Sequence, residues 1–231
     1  MLLYYASFII LGVFSLIGMY VSSKLKSKFR KYSEMPNSRN MSGKEVAEKM
    51  LHDNNIYDVE VISVKGQLTD HYNPMKKTVN LSEGVYHQRN VAAAAVAAHE
   101  CGHAVQHANA YFWLKPRTAL VPILNIGSGI LPWALMLGAI ILGSTGNPTL
   151  LIVGIGLLTA SALFSIITLP VEFDASARAL KWMTTANITD QREHTAAKDA
   201  LNWAAMTYVV AALAAVAQVL YWVLILINSR D

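Results

Sequence analysis

The stretch His99-Glu100-Cys101-Gly102-His103 has residue types and a spacing that could do chemistry. It sits in the run from Val91 to His107, VAAAAVAAHECGHAVQH, which reads as a helix. On a helix, positions i and i+4 share a face, so His99 and His103 would bring two imidazoles to one metal ion, with Glu100 one residue round. Zinc is the ion expected for such a pair. It acidifies a bound water, and a carboxylate beside that water takes the proton and hands it to a leaving amine. The competing reading, a buried helix with hydrogen-bonded histidines, leaves several polar groups to satisfy, which is costly away from water. Cys101, the only cysteine, points away from the shared face and leaves no partner for a disulfide.

Two histidines hold zinc poorly, and catalytic sites usually offer three protein ligands, so a carboxylate is wanted elsewhere in the chain. The segment Pro170-Val-Glu-Phe-Asp-Ala-Ser-Ala-Arg178 restores charge directly after a long apolar run. Glu172 is the candidate third ligand and Asp174 its close competitor. Asp174 with Arg178, spaced i,i+4, reads alternatively as an ion pair that orients the site. The plain reading of Glu172 is an acidic residue in a first helical turn. His107 continues the i,i+4 series but lies a turn too far along to share a tetrahedral ion easily. His71 and Tyr72, in a polar loop ahead of the motif, are candidates to stabilise an oxyanion or, more plainly, a turn. His194 is a candidate proton or oxyanion partner, its bland reading being a surface histidine.

The elements that must position these residues are set by an apolar composition. The chain has 231 residues, 54% of them hydrophobic and only 15% charged, and its mean hydropathy of +0.34 is too high for an ordinary soluble protein. A lipid bilayer is the implied surrounding. Leu2 to Val21 is an uncharged segment long enough to cross it, and Lys24, Lys26, Lys28, Arg30 and Lys31 follow. Charges after the apolar core mark an anchor rather than a cleaved signal, and by the positive-inside rule they hold the downstream region in the cytoplasm. Leu120 to Leu142 and Leu150 to Leu169 form a spanning hairpin, and Ala204 to Ile227 is the last span. Gly127, Gly129, Gly154 and Gly156 suit close helix packing in lipid. About four spans put both termini outside and the chemistry on the cytoplasmic side of a plasma membrane. The net charge of +4 belongs to this topology, and no nucleic-acid motif accompanies it.

Between the spans, Ser42-Gly-Lys-Glu45 reads as a capping box opening a short amphipathic helix that Asn54-Asn55 stops. Val59 to Val64 and Thr78 to Leu81 are extended runs, predicting a small β-hairpin over Asp58 to Leu81. Asn90 is the expected N-cap of the motif helix, which should end near Tyr111, and Thr189 is the expected N-cap of a helix running toward Trp203. The fold class is therefore a mainly α membrane protein, with about four transmembrane helices and a small cytoplasmic α+β zincin-like unit. Its regions are an anchor over 1–21, the motif-bearing region over 22–117, a transmembrane hairpin over 118–170, a helical segment with the third-ligand motif over 171–203, and a last span over 204–231.

The pieces GQLTDHYNP at 66–74, AAHECGHAVQH at 97–107, LVP at 120–122 and TLPVEFDAS at 168–176 occur in that order. Together they resemble the bacterial family of predicted membrane zinc metallopeptidases called YugP-like, over nearly the whole chain. The resemblance implies a neutral zinc peptidase in which His99 and His103 bind Zn²⁺ and Glu100 is the catalytic carboxylate. The Glu172-Phe-Asp-Ala piece is also similar to the third-ligand segment of the wider HtpX and CAAX-processing membrane proteases, which favours Glu172 as third ligand. Ser176 stands where that group has aspartate, and Asn73 where the YugP-like pattern has aspartate. The expected activity is hydrolysis of peptide bonds in protein or peptide substrates associated with membranes. The alternatives are an intramembrane protease, for which the Asp-Gly piece expected in a later span is missing, and a zinc-binding scaffold without catalysis, in which Glu100 would have no use. A homo-oligomer or a regulatory membrane partner is compatible with the chain and has no motif of its own.

Overall fold

The computed structural model describes residues 2–228, with side chains from Ile9 onward. Met1 and residues 229–231, the extreme ends of the predicted anchor and last span, lie outside the described residues. In chain order the elements are α1 (Leu2–Ser33), α2 (Gly43–Asp53), β1 (Glu60–Val64), β2 (His71–Asn73), β3 (Thr78–Ser82), α3 (Glu83–Tyr86), α4 (Val91–Ala108), α5 (Leu114–Thr145), α6 (Thr149–Thr185) and α7 (Gln191–Asn228).

Among the described residues, four helices are long and apolar enough to cross a membrane, over Ile9–Ser33, Leu114–Thr145, Thr149–Thr185 and Gln191–Asn228. The protein is thus a mainly α membrane protein with a small three-stranded sheet. The last three of these helices have 32, 37 and 38 residues, about 48 to 57 Å at 1.5 Å per residue, so each outruns a hydrocarbon core of about 30 Å. Polar segments that the sequence separates from the spans are therefore continuous with them: the Glu172 segment lies within α6, and residues 191–203 within α7.

The chain divides into two compact units. One comprises Met1–Tyr20, Lys115–Leu169 and Thr207–Asp231. Here α5 and α6 touch at Gly138, where an added Cβ would lie 2.6 Å from the Leu151 backbone nitrogen. Of the glycines expected to serve such packing, Gly127 and Gly154 meet leucine side chains, whereas Gly129 and Gly156 have nothing within 4 Å.

The second unit comprises Val21–Leu114 and Pro170–Met206. Its core surrounds α4, whose residues Val91 to Ala95, Ala97 and Ala98 are all buried. Alanine suits a helix enclosed on every side, since it lets α2, β3 and α3 approach the α4 backbone without large side chains between them. Ser42 and Glu45 form the expected capping box on α2, and Asn90 caps α4 by accepting from the Ala93 N–H. The helix ends at Ala108 rather than near Tyr111, because Ala110 turns into the left-handed region with φ 48°.

Two expectations are corrected here. The segment from Asp58 to Leu81 is no simple hairpin: β1 runs parallel to β3, with Glu60 opposite Thr78, and the sheet order is β1-β3-β2. The antiparallel partner of β3 is β2, which supplies the reversal that a two-strand reading omits. Asn73 builds the β2–β3 turn by accepting from the Met75 and Lys76 N–H groups. Likewise, the cap of α7 is Asp190 and not Thr189. Asp190 Oδ1 accepts from the Glu193 N–H, and Glu193 Oε2 accepts from the Asp190 N–H, a reciprocal box that a residue one place earlier does not make.

Candidate metal centre

In the second unit, α4 meets the part of α6 that begins at Pro170. Gly102 makes the approach: a Cβ there would stand 2.5 Å from the Ala175 carbonyl oxygen. Contact this close brings side chains on either side of Gly102 against side chains on either side of Ala175. His99 and His103 lie one turn apart on α4, their rings edge to face with centroids 4.9 Å apart. Glu172 meets both, its Oε2 being 3.4 Å from His99 Nε2 and 3.5 Å from His103 Nε2. The three potential ligand atoms lie within 4.8 Å of one another, a grouping able to hold a metal ion. Glu172 is only 4% exposed, and its Oε2 has no hydrogen-bond partner. A buried carboxylate oxygen left without a donor is costly unless a cation completes it, so this donor set fits a divalent metal with nitrogen and oxygen ligands.

The far side of each imidazole is also held. His103 Nδ1 lies 3.0 Å from Gln106 Oε1, and Gln106 is completely buried. Gln106 Nε2 donates to the Val171 carbonyl at 2.7 Å and to Asp174 Oδ2 at 2.8 Å. Arg178 Nε donates to the same Asp174 oxygen at 2.5 Å, and its guanidinium stands over the Tyr111 ring. His99 Nδ1 lies 3.1 Å from Ser176 Oγ. Both Nδ1 atoms are thus engaged, leaving both Nε2 atoms toward Glu172. Burial works to lower the pKa of His103, but the neighbouring Glu172 and Glu100 carboxylates prevail and raise it.

Glu100 is buried beside this group, its Oε2 accepting from the Tyr72 backbone N–H at 3.0 Å. Strand β2 therefore contributes a main-chain donor here, while the Tyr72 side chain packs against the ring of His107. His71 is exposed, with Nδ1 2.8 Å from Thr69 O, and so contacts its own loop. His194 is brought elsewhere. Its Nδ1 meets Thr184 Oγ1 at 3.0 Å, and Thr184 lies about 18 Å along α6 from Glu172 at 1.5 Å per residue. His107 is not in the three-residue group, and Cys101 is fully buried with Sγ 3.5 Å from Ala47 O. Asp174, the rival ligand, and Arg178 stand behind His103 through Gln106. Gln106 is a contact that the sequence reading does not single out, and Ser176 enters it only as a departure from the HtpX and CAAX-processing pattern, although Gln106 lies three residues after His103 and Ser176 four after Glu172, both spacings that share a helix face.

Residues 7–227 match a protein family described as "Putative neutral zinc metallopeptidase". The chain is 41% identical over 225 residues to a Bacillus subtilis (strain 168) protein named "Putative membrane protease YugP", a match covering 97% of this chain and 98% of that relative. No solved structure matches it. The chain therefore belongs to this family of zinc metallopeptidases and is a homologue of a membrane protease.

Proposed function

From that membership, we propose that this protein is a membrane-anchored zinc metalloendopeptidase in which His99, His103 and Glu172 hold the zinc and Glu100 is the general base and then the general acid. The observation that carries the reading is the buried Glu172 Oε2, without a hydrogen-bond partner and set against two imidazole Nε2 atoms at 3.4 and 3.5 Å. A zinc ion held by these three residues supplies Lewis acidity for a peptide carbonyl and for a bound water. Glu100, fixed through Oε2 by the Tyr72 N–H, removes a proton from the attacking water. As the water oxygen bonds to the carbonyl carbon and the C–N bond breaks, Glu100 delivers a proton to the leaving nitrogen. Ser176 and Gln106 keep the two imidazoles in place throughout.

The substrates in this reading are proteins or peptides associated with the membrane, because the Glu172 segment continues directly from an apolar spanning helix. Lys24, Lys26, Lys28, Arg30 and Lys31 after the first apolar segment support a cytoplasmic location for the catalytic region over 22–117 and 171–203, with both termini outside.

The test is zinc content and casein cleavage measured on the same detergent-purified samples of wild type and Glu172→Gln. Stoichiometric zinc with cleavage in wild type, and loss of both in the variant, is the expected result. Zinc retained by Glu172→Gln would remove Glu172 from the ligand set, and zinc without cleavage in wild type would favour the scaffold alternative.

A further inference from the structure

We infer that Gln106, clamped by Asp174 and Arg178, is a positioning residue that fixes the tautomer and orientation of His103 and so prepares the Nε2 lone pair for the metal. The inference rests on the metal-site reading above and adds to it how one ligand is held in the binding state.

The amide of a buried glutamine can turn over, exchanging its oxygen and nitrogen, unless its neighbours choose for it. Here they do. The Gln106 nitrogen faces the Val171 carbonyl and the Asp174 carboxylate, and neither of these can donate. Turning the amide over would set its oxygen 2.7 and 2.8 Å from two acceptor oxygens, on a side chain that is itself wholly buried. Oε1 must therefore face His103 Nδ1, and an amide oxygen only accepts, so Nδ1 carries the hydrogen. The remaining nitrogen, Nε2, is then the one left to bind a metal, and it is directed at Glu172. Arg178 completes the arrangement by donating to the very Asp174 oxygen that receives the Gln106 N–H.

The neighbouring imidazole has no such commitment. His99 Nδ1 meets the Ser176 hydroxyl, which can donate or accept and so accommodates either tautomer. The two histidines thus differ: the surroundings of His103 choose Nε2 as the nitrogen offered to a metal, and those of His99 leave the choice open.

The experiment compares wild type, Gln106→Leu, Asp174→Asn and Glu172→Gln in detergent. Zinc affinity is read by competition with a chromophoric chelator, helical content by circular dichroism, and ring N–H protons of the zinc-loaded protein by ¹⁵N-histidine NMR. Gln106→Leu removes the acceptor at Nδ1. Asp174→Asn is nearly isosteric but offers a donor to Gln106, which lets the amide turn over. Both variants should keep wild-type helicity, bind zinc about 10- to 100-fold more weakly, and lose the slowly exchanging ring N–H of His103 while keeping that of His99. Zinc affinity within about twofold of wild type in the folded variants, with the His103 ring N–H still protected, would overturn the inference. Should Gln106→Leu fail to fold, Asp174→Asn decides alone, because it preserves the shape of the site. Glu172→Gln separates the two readings: unchanged zinc affinity there would overturn the metal site itself, whatever the Gln106 variant does.

Discussion

Gly102 of α4 and Ala175 of α6 meet so closely that a single added methyl at 102 would sit 2.5 Å from the Ala175 carbonyl oxygen. The obstructing atom is backbone and cannot swing aside, so Gly102→Ala must push the two helices apart. Overpacking of this kind costs about 1–3 kcal/mol. The same displacement withdraws Glu172 from the imidazoles, so the variant should unfold at a lower temperature and also bind zinc more weakly. A zinc affinity equal to wild type would mean that the crossing does not set the geometry of the site.

Glu100→Gln separates binding from chemistry. The replacement keeps an oxygen able to accept from the Tyr72 N–H, so the strand contact persists. It removes only the capacity to take a proton. Zinc content should equal that of wild type while casein cleavage falls about a hundred- to ten-thousand-fold. Cleavage within a few-fold of wild type would move the general base to another residue.

How far the site was legible in the sequence follows from which distances chemistry fixes. His99 and His103 must be one helical turn apart to share an ion, and that spacing is visible in the letters. Glu172 was reachable because it follows a long apolar segment and because its surroundings resemble those of other membrane metalloproteases. Gln106 and Ser176 were harder. Their roles depend on how α4 crosses α6, which the Gly102–Ala175 approach sets and no local pattern reveals. The sheet misled for a different reason. Strand β2 is only His71-Tyr72-Asn73, too short and too polar to announce itself by alternation, yet it decides that β1 and β3 are parallel and brings a main-chain donor to Glu100.

Cys101 sits between catalytic candidates yet should be chemically silent. It is fully buried, and burial followed by the Glu100 charge pushes its thiol well above the ordinary range. Because it is the only cysteine in the chain, a maleimide reagent reports on it alone. The native protein should resist labelling with or without chelator, and labelling should appear together with loss of helical structure in denaturant. Rapid labelling of the folded, chelated protein would show that α4 opens locally around the motif.

The start of α7 gives a contrast between adjacent residues. Asp190 and Glu193 satisfy each other's backbone N–H groups, and Glu193 also accepts from the backbone and hydroxyl of Ser38, tying the α1–α2 connection to the helix. Asp190→Ala removes the cap and should cost about 0.5–2 kcal/mol of stability. Thr189 does no such work: its hydroxyl is buried without a hydrogen-bond partner. Thr189→Val, which keeps the shape and deletes the hydroxyl, should therefore be neutral or slightly stabilising. Thermal unfolding followed by circular dichroism ranks the two. If the valine variant unfolds well below the alanine variant, the helix is capped at 189 and the Asp190–Glu193 pairing does not hold its N-terminus.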